Sequence, residues 1–337
     1  MPYRLLVTDE IDPEGVQLLQ AEPELQVDEV PTLPKQELLA RIGDYDAIVG
    51  RSATRISDEL LRGARRLKVI GRAGVGVDNI ALDTATELGI AVINAPAGNT
   101  IAVAELFFGT TIGLLRHLPR AAQSMREGRW DRSQLLGSEL KGRTLGIVGV
   151  GRIGSEIAAR ALAFGMDVVG CDPYIADDRF RALRIRRAPS LEALLEEADL
   201  VTVHTPLNDE TRGLIGRREL ALLHPGSYVV NMARGGIVDD QALMAALASG
   251  HLAGAVLDVY QTEPLPADHP IRSAPNVVLT PHIGASTMEA QRNVAVEACR
   301  AVRDALLHGE LSRSINVAGG AAGDGRWREL QPVTLVA

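Results

Sequence analysis

Residues 144–172 read TLGIVGVGRIGSEIAARALAFGMDVVGCD. The short apolar run LGIV has the character of a strand, and Gly149, Gly151 and Gly154 follow it at the spacing GxGxxG. The stretch SEIAARALAFG then has helical composition, and DVVGCD is a second β-branched run that ends on an acid, Asp172. Strand, glycine turn, helix and strand in that order make a βαβ unit with parallel strands, so the surrounding region is α/β.

Each glycine answers a physical demand. Gly149 allows a tight turn, Gly151 lets a pyrophosphate approach the backbone, and Gly154 lets helix and strand pack closely. The helix N-terminus adds unpaired N–H groups that favour phosphate. Asp172 lies 18 positions beyond Gly154, where a carboxylate accepts ribose hydroxyls and repels a 2′-phosphate, so NAD is expected rather than NADP. The similar stretch Gly74-Val75-Gly76-Val77-Asp78-Asn79 lacks the third glycine and an acid-tipped strand, and is read as a ligand-facing loop.

Outward from this unit the chain divides in two. Before it, short apolar runs such as Leu5–Val7, Ala47–Val49, Leu67–Ile70 and Ala91–Ile93 alternate with helical stretches, which is a second βαβ series. From Asn99 a long helix, IAVAELFFGTTIGLLRHL, is expected to run until Pro119 and bridge the two regions. Beyond the glycine unit, LVTVHTP, SYVVNMA, AGAVLDVY and NVVLTPH are further strand candidates. Ser286 and Glu289 form a capping-box pattern that opens a second long helix, ending near Leu307 and returning the chain to the first domain. Residues 319–337, which open on the Gly/Ala-rich stretch 319–325, are expected to form a flexible tail.

Bulk properties narrow the classes. The 337 residues are enough for two cores. A net charge of -8 argues against a nucleic-acid binder, and a small-molecule partner is expected. Cys171 and Cys299 stand alone, with no neighbours at ligand spacing, so neither a disulfide framework nor a metal site is indicated and a cytoplasmic setting fits. The sequence carries no apolar run long enough for a bilayer. The absence of GxSxG and HExxH disfavours a serine hydrolase and a zinc protease.

Three polar residues sit at the ends of successive strand candidates, which is where open α/β sheets bind ligands: Arg234, Glu263 and His282. Arg234 precedes Gly235-Gly236, so a turn presents a guanidinium fork suited to a carboxylate. Hydride abstraction from an alcohol needs a base for the hydroxyl proton, and His282 supplies an imidazole. Glu263, in QTEPLP, could fix that imidazole in one tautomer and support its protonated form.

Together, GRAGVGVDNI, LKGRTLGIVGVGRIG, TVHTPLNDETRGLIG, NMARGGIVDDQAL, LDVYQTEPLP and TPHIGAST resemble the D-2-hydroxyacid dehydrogenase family, over roughly residues 3–317, and within it most closely the phosphoglycerate dehydrogenase branch, in a short form without C-terminal regulatory domains. The resemblance implies two Rossmann/flavodoxin-like parallel-sheet domains, with an NAD-binding domain at 98–289 inserted in a substrate domain made of 1–97 and 290–318. It implies Arg234, Glu263 and His282 as the catalytic trio. Besides the glycines and Asp172, it implies cofactor contacts from Arg152, Ile153, Thr205, Met232, Ala233, Asp258, Gly284 and Ala285. Arg51 and Arg72, which follow apolar runs, match basic substrate positions, and Gly74, Val75 and Asn99 join them; Val75 stands where many relatives carry Thr. GRWDRSQLLGSEL resembles an arm that carries Trp130 and Arg132 to a partner subunit, which implies a homodimer or homotetramer. The implied reaction is NAD-dependent oxidation of D-3-phosphoglycerate, the first step of L-serine synthesis. A glyoxylate or hydroxypyruvate reductase and an NADH-sensing corepressor-like scaffold remain alternatives.

Overall fold

A computed structural model of the chain describes residues 2–318 and 331–332. It divides into two compact units, Met1–Asn99 with Ala285–Ala337, and Thr100–Gly284. The divisions fall a few residues inside the boundaries 98 and 289 expected from sequence.

The first unit begins β1 (Tyr3–Val7), α1 (Pro13–Gln20), β2 (Leu25–Glu29), α2 (Lys35–Arg41), β3 (Ala47–Gly50), α3 (Asp58–Gly63), β4 (Val69–Arg72), α4 (Leu82–Glu87) and β5 (Ala91–Asn94). The sheet is parallel, in the order β2-β1-β3-β4-β5, which is the flavodoxin-like winding. Strand periodicity sorts its core into two layers. Leu5, Val7, Val49, Val69 and Ile93 enter one apolar cluster, while Leu6, Ile48, Ile70 and Val92 enter the other. Such strands, buried on both faces, appear in sequence as unbroken apolar runs. β2 is an edge strand with a mixed burial pattern, and for that reason it is not conspicuous in sequence.

The second unit opens on α5 (Thr100–Leu115) and α6 (Leu118–Arg126). The single helix expected here is in fact two, bent by 64°. His117 adopts a left-handed φ of 53°, and Pro119 sits in the first turn of α6, where its missing N–H breaks no helical hydrogen bond. Among the described residues no single helix is long and apolar enough to cross a membrane. α5 is instead a core helix: Phe107 is fully buried, and Phe108 stacks on Phe164 at 5.0 Å. There follow β6 (Thr144–Val148), α7 (Arg152–Ala163), β7 (Asp167–Cys171), α8 (Asp177–Leu183), β8 (Arg186–Arg187), α9 (Leu191–Glu197), β9 (Leu200–Val203), α10 (Arg217–Leu222), β10 (Ser227–Asn231), α11 (Asp240–Ala248), β11 (Leu252–Leu257) and β12 (Val277–Leu279).

These strands form one parallel sheet, β12-β11-β10-β9-β6-β7-β8, which reverses direction of winding between β6 and β9. That is the Rossmann order extended by one strand, and its switch point is where ligands enter. β8 escapes a sequence reading because it is two arginines on a sheet edge.

The last helix, α12 (Met288–His308), belongs to the first unit. It begins one residue later than the Ser286–Glu289 pattern suggests, because the hydroxyl of Thr287 accepts the N–H of Ala290 and becomes the cap. Val294, Ala295, Ala298, Val302 and Ala305 form its buried stripe. The expected tail 319–337 lies outside the described residues, apart from Gln331–Pro332, which pair antiparallel with Val317–Ala318.

Candidate active site

The glycines after β6 do different work. Gly149 has φ +92°, and a Cβ there would stand 2.8 Å from the His204 carbonyl carbon. At Gly154 a Cβ would collide with the carbonyl oxygen of Gly149. Both are therefore required by the protein's own packing. Gly151 is not: a Cβ there would meet nothing within 4 Å. Its bareness leaves space for a ligand at the N-terminus of α7, whose cap has no side-chain hydrogen bond.

Asp172, just beyond β7, accepts the Val150 N–H at 2.8 Å and the Tyr174 N–H at 3.0 Å, which aligns its carboxylate beside the glycine turn. After β9 the buried Thr205 hydroxyl has no hydrogen-bond partner among the described residues. An open cradle, an acid at the second strand end and an orphaned hydroxyl fit a dinucleotide with its pyrophosphate on α7. Sequence reasoning passed over the neighbouring His204. Desolvation pushes its imidazole down to about 3, so it is neutral, with Nε2 hydrogen-bonded to the Thr202 hydroxyl at 2.8 Å.

Of the other expected cofactor residues, Arg152 is exposed, Ile153 leans on the core, and the Met232 side chain is buried in it. Asp258 is almost fully buried, and both of its oxygens take protein donors: the Thr280 hydroxyl at 2.6 Å and the Ile283 N–H at 2.8 Å on one, the Gly284 N–H at 2.8 Å on the other. It fastens the loop that carries His282. Ala233 donates its N–H to the Asn231 side chain, and the Ala285 carbonyl accepts from Gln291.

The structure brings Glu263 and His282 together. Nδ1 of His282 lies 2.7 Å from Glu263 Oε2. An ionised carboxylate can only accept, so Nδ1 carries the proton and Nε2 is left for a substrate hydroxyl. His282 has φ +54°, a conformation that costs a non-glycine residue energy and persists only where neighbours enforce it. Arg234 follows β10, in a turn braced by Asn231, whose side-chain amide donates to the Arg234 carbonyl at 2.9 Å. Its Nη1 donates to the Ala233 carbonyl at 2.6 Å.

Arg51, Arg72, Gly74, Val75 and Asn99 lie in the first unit. The loop carrying Arg51 hangs on Asp9, which accepts the N–H groups of Arg51 at 2.7 Å and Thr54 at 2.9 Å, and the hydroxyls of Thr32 and Thr54. Asn79 clamps the same loop from the other side through the carbonyls of Arg51 and Thr54. No side chain among the described residues pairs with the Arg51 guanidinium. Arg72 folds over Gly74, donating to the Ala73 carbonyl, and Asn94 holds the Val75 carbonyl. The Asn99 Oδ1 is buried without a partner among the described residues. Arg132 is exposed in the second unit, two residues from Trp130.

Sequence reasoning missed Asp9 as a loop anchor. The visible signal is an acid two residues beyond an apolar strand; its partners, 23 to 45 residues away, are not visible.

Comparison with known proteins places the chain in a family. Residues 108–284 match the D-isomer specific 2-hydroxyacid dehydrogenase NAD binding domain. Over 312 residues, 93% of this chain, the sequence is 42% identical to the D-3-phosphoglycerate dehydrogenase of Methanocaldococcus jannaschii, of which it covers 59%. The chain thus spans little more than half the length of the curated relatives it matches. Among solved structures, a protein from Thermus thermophilus superposes with TM-score 0.84 at 38% identity, covering 93% of this chain and 99% of that one. A glyoxylate reductase from Paecilomyes thermophila superposes with TM-score 0.85 at 31% identity, covering 93% and 98%. The chain belongs to the D-isomer specific 2-hydroxyacid dehydrogenases, with their NAD-binding domain in its second unit.

Proposed function

We propose that the chain oxidises D-3-phosphoglycerate to 3-phosphohydroxypyruvate with NAD, the step that opens L-serine synthesis, and catalyses the reverse reduction. The observation that carries this reading is the Glu263–His282 hydrogen bond, within a unit whose glycine cradle suits NAD. In the oxidation, Nε2 of His282 takes the hydroxyl proton as the carbonyl forms. Glu263 holds the tautomer and stabilises the imidazolium that results. The chemistry supplied by NAD, when bound, is acceptance of the hydrogen that leaves C2 with its electron pair, as hydride. Arg234 grips the carboxylate through its planar fork, and so fixes which face of C2 is presented.

The phosphate is assigned to Arg51 and Arg72, with Gly74, Val75 and Asn99 completing the substrate surface of the first unit; the loop anchored by Asp9 supports this. The working form is a homodimer or homotetramer in which Arg132 reaches the partner's cleft. Its support is the exposed Trp130 and Leu136, the latter 90% accessible, an unusual surface for a solitary subunit. The two unpaired cysteines suit a cytoplasmic setting.

A second reading is a glyoxylate or hydroxypyruvate reductase. Its support is the superposition on the glyoxylate reductase from Paecilomyes thermophila, with TM-score 0.85 at 31% identity. NADH oxidation with 3-phosphohydroxypyruvate, hydroxypyruvate and glyoxylate at equal concentration separates the two. A kcat/KM at least about tenfold higher for the phosphorylated acid, roughly 1.4 kcal/mol, supports the first reading. Preference for the plain acids supports the second.

A further inference from the structure

Three loops carry the proposed catalytic groups, and one residue outside the trio touches all of them. The backbone N–H of Tyr260 donates to Glu263 Oε1 at 2.9 Å, on the carboxylate whose other oxygen accepts from His282. Its hydroxyl reaches the Thr280 carbonyl at 2.9 Å and the Leu257 carbonyl at 3.1 Å. Thr280 is two residues before His282. On the third side Gly235, next to Arg234, packs so closely on the Tyr260 carbonyl that a Cβ there would collide with it.

We infer that Tyr260 is a positioning residue: it locks the loop after β11 to the loop after β12, and so holds the His282 imidazole against Glu263. The inference rests on the catalytic roles proposed above. His282 has a left-handed backbone that its surroundings must impose. Asp258 holds its loop through the Thr280 hydroxyl and the N–H groups of Ile283 and Gly284, and the Tyr260 hydroxyl adds a second hold on Thr280, through the carbonyl. Burial, with the negative charge of Asp258 adding to it, pushes the tyrosine up to about 12. The hydroxyl therefore keeps its proton, and remains a donor, throughout the range in which a dehydrogenase works.

The test is Tyr260→Phe, which removes the hydroxyl and leaves the ring, the backbone N–H and the Gly235 contact in place. Steady-state rates, NADH affinity by fluorescence, the melting temperature and the downfield proton spectrum are compared with wild type. The hydrogen-bonded Nδ1 proton of His282 is identified by its loss in His282→Gln. We expect kcat to fall about tenfold, since small displacements of reacting groups cost that much or more. KM and NADH affinity should change less than about twofold, and the downfield resonance should broaden or vanish. In a His282→Ala background the second substitution should cost nothing further, because the tyrosine acts through the imidazole.

Wild-type kcat and a sharp downfield resonance in Tyr260→Phe would overturn the inference. So would a loss that adds fully to that of His282→Ala. If the wild type reduces none of the three keto acids, the functional reading falls instead. The resonance still decides whether Tyr260 holds the imidazole.

Discussion

Asp9 and Asp258 make the same kind of anchor in different units. Each lies just past the end of a parallel strand, β1 or β11, and each is buried. Each takes two backbone N–H groups and at least one threonine hydroxyl from a loop that carries a proposed ligand group. They differ in where the backbone strain sits. In the first unit the anchor is left-handed, with φ +66° at Asp9 and +51° at Glu10, and Arg51 is not. In the second unit the functional residue is left-handed, His282 at +54°, and its anchor is not. In the proposed roles Arg51 supplies a charge that acts through a long side chain and tolerates small displacements, whereas His282 must put one ring nitrogen within hydrogen-bonding reach of one proton. Damage in the first unit should therefore be felt mainly in KM, and damage in the second in kcat.

The sharpest way to break the comparison is His282→Ala. Steady-state assays should show kcat falling about a thousandfold, while NADH titration shows cofactor affinity nearly unchanged. Strong residual turnover would remove the proton-transfer role. Next in size is Gly151→Val, whose Cβ would meet nothing within 4 Å on an ordinary extended backbone. Its melting temperature should stay within a few degrees of wild type while NADH affinity falls by about a hundredfold. A variant that binds NADH normally would displace the pyrophosphate from this turn.

Glu263→Gln should lower kcat about ten- to a hundredfold with little change in KM, since it removes the charge and leaves a single acceptor oxygen where the carboxylate accepts from both Tyr260 and His282. Arg51→Ala should instead raise KM for 3-phosphohydroxypyruvate about tenfold and leave glyoxylate reduction alone; equal losses on both would mean the guanidinium does not meet the phosphate. Asp9→Asn is the mildest, with a several-fold rise in the same KM.

Asp9→Asn also carries a stability signature. Burial alone would raise the Asp9 carboxyl, but the bonds from Thr54, Thr32 and the Arg51 and Thr54 amides outweigh it and hold it below the usual carboxylate range. A depressed folded value stabilises the protein above the unfolded value of about 4, and that contribution is lost as pH falls through the folded value. The melting temperature of wild type should therefore drop below about pH 4, and Asp9→Asn should flatten that part of the curve.

Much of this was legible in the sequence, for identifiable reasons. Parallel strands buried on both faces announce themselves as apolar runs, so β1, β3, β4, β6 and β7 stand out, while the edge strands β2 and β8 do not. The glycine spacing and the acid that follows it are local, because a turn and the helix it opens are neighbours in the chain. Arg234, Glu263 and His282 could be picked out because open sheets bind ligands at strand ends. Helix limits were less secure: the left-handed His117 split one helix, and Thr287 rather than Ser286 capped another.

What the sequence alone determined, then, is the α/β class, the dinucleotide turn and the residue types at the strand ends, since these depend on patterns within a few tens of residues. Only the tertiary structure decided which partners hold them. Asp258 proved to be spent on the His282 loop, Asp9 on the Arg51 loop, and Tyr260 on three loops at once. A hydrogen bond between residues 20 to 45 positions apart is set by strand register and helix packing, and no local pattern records it.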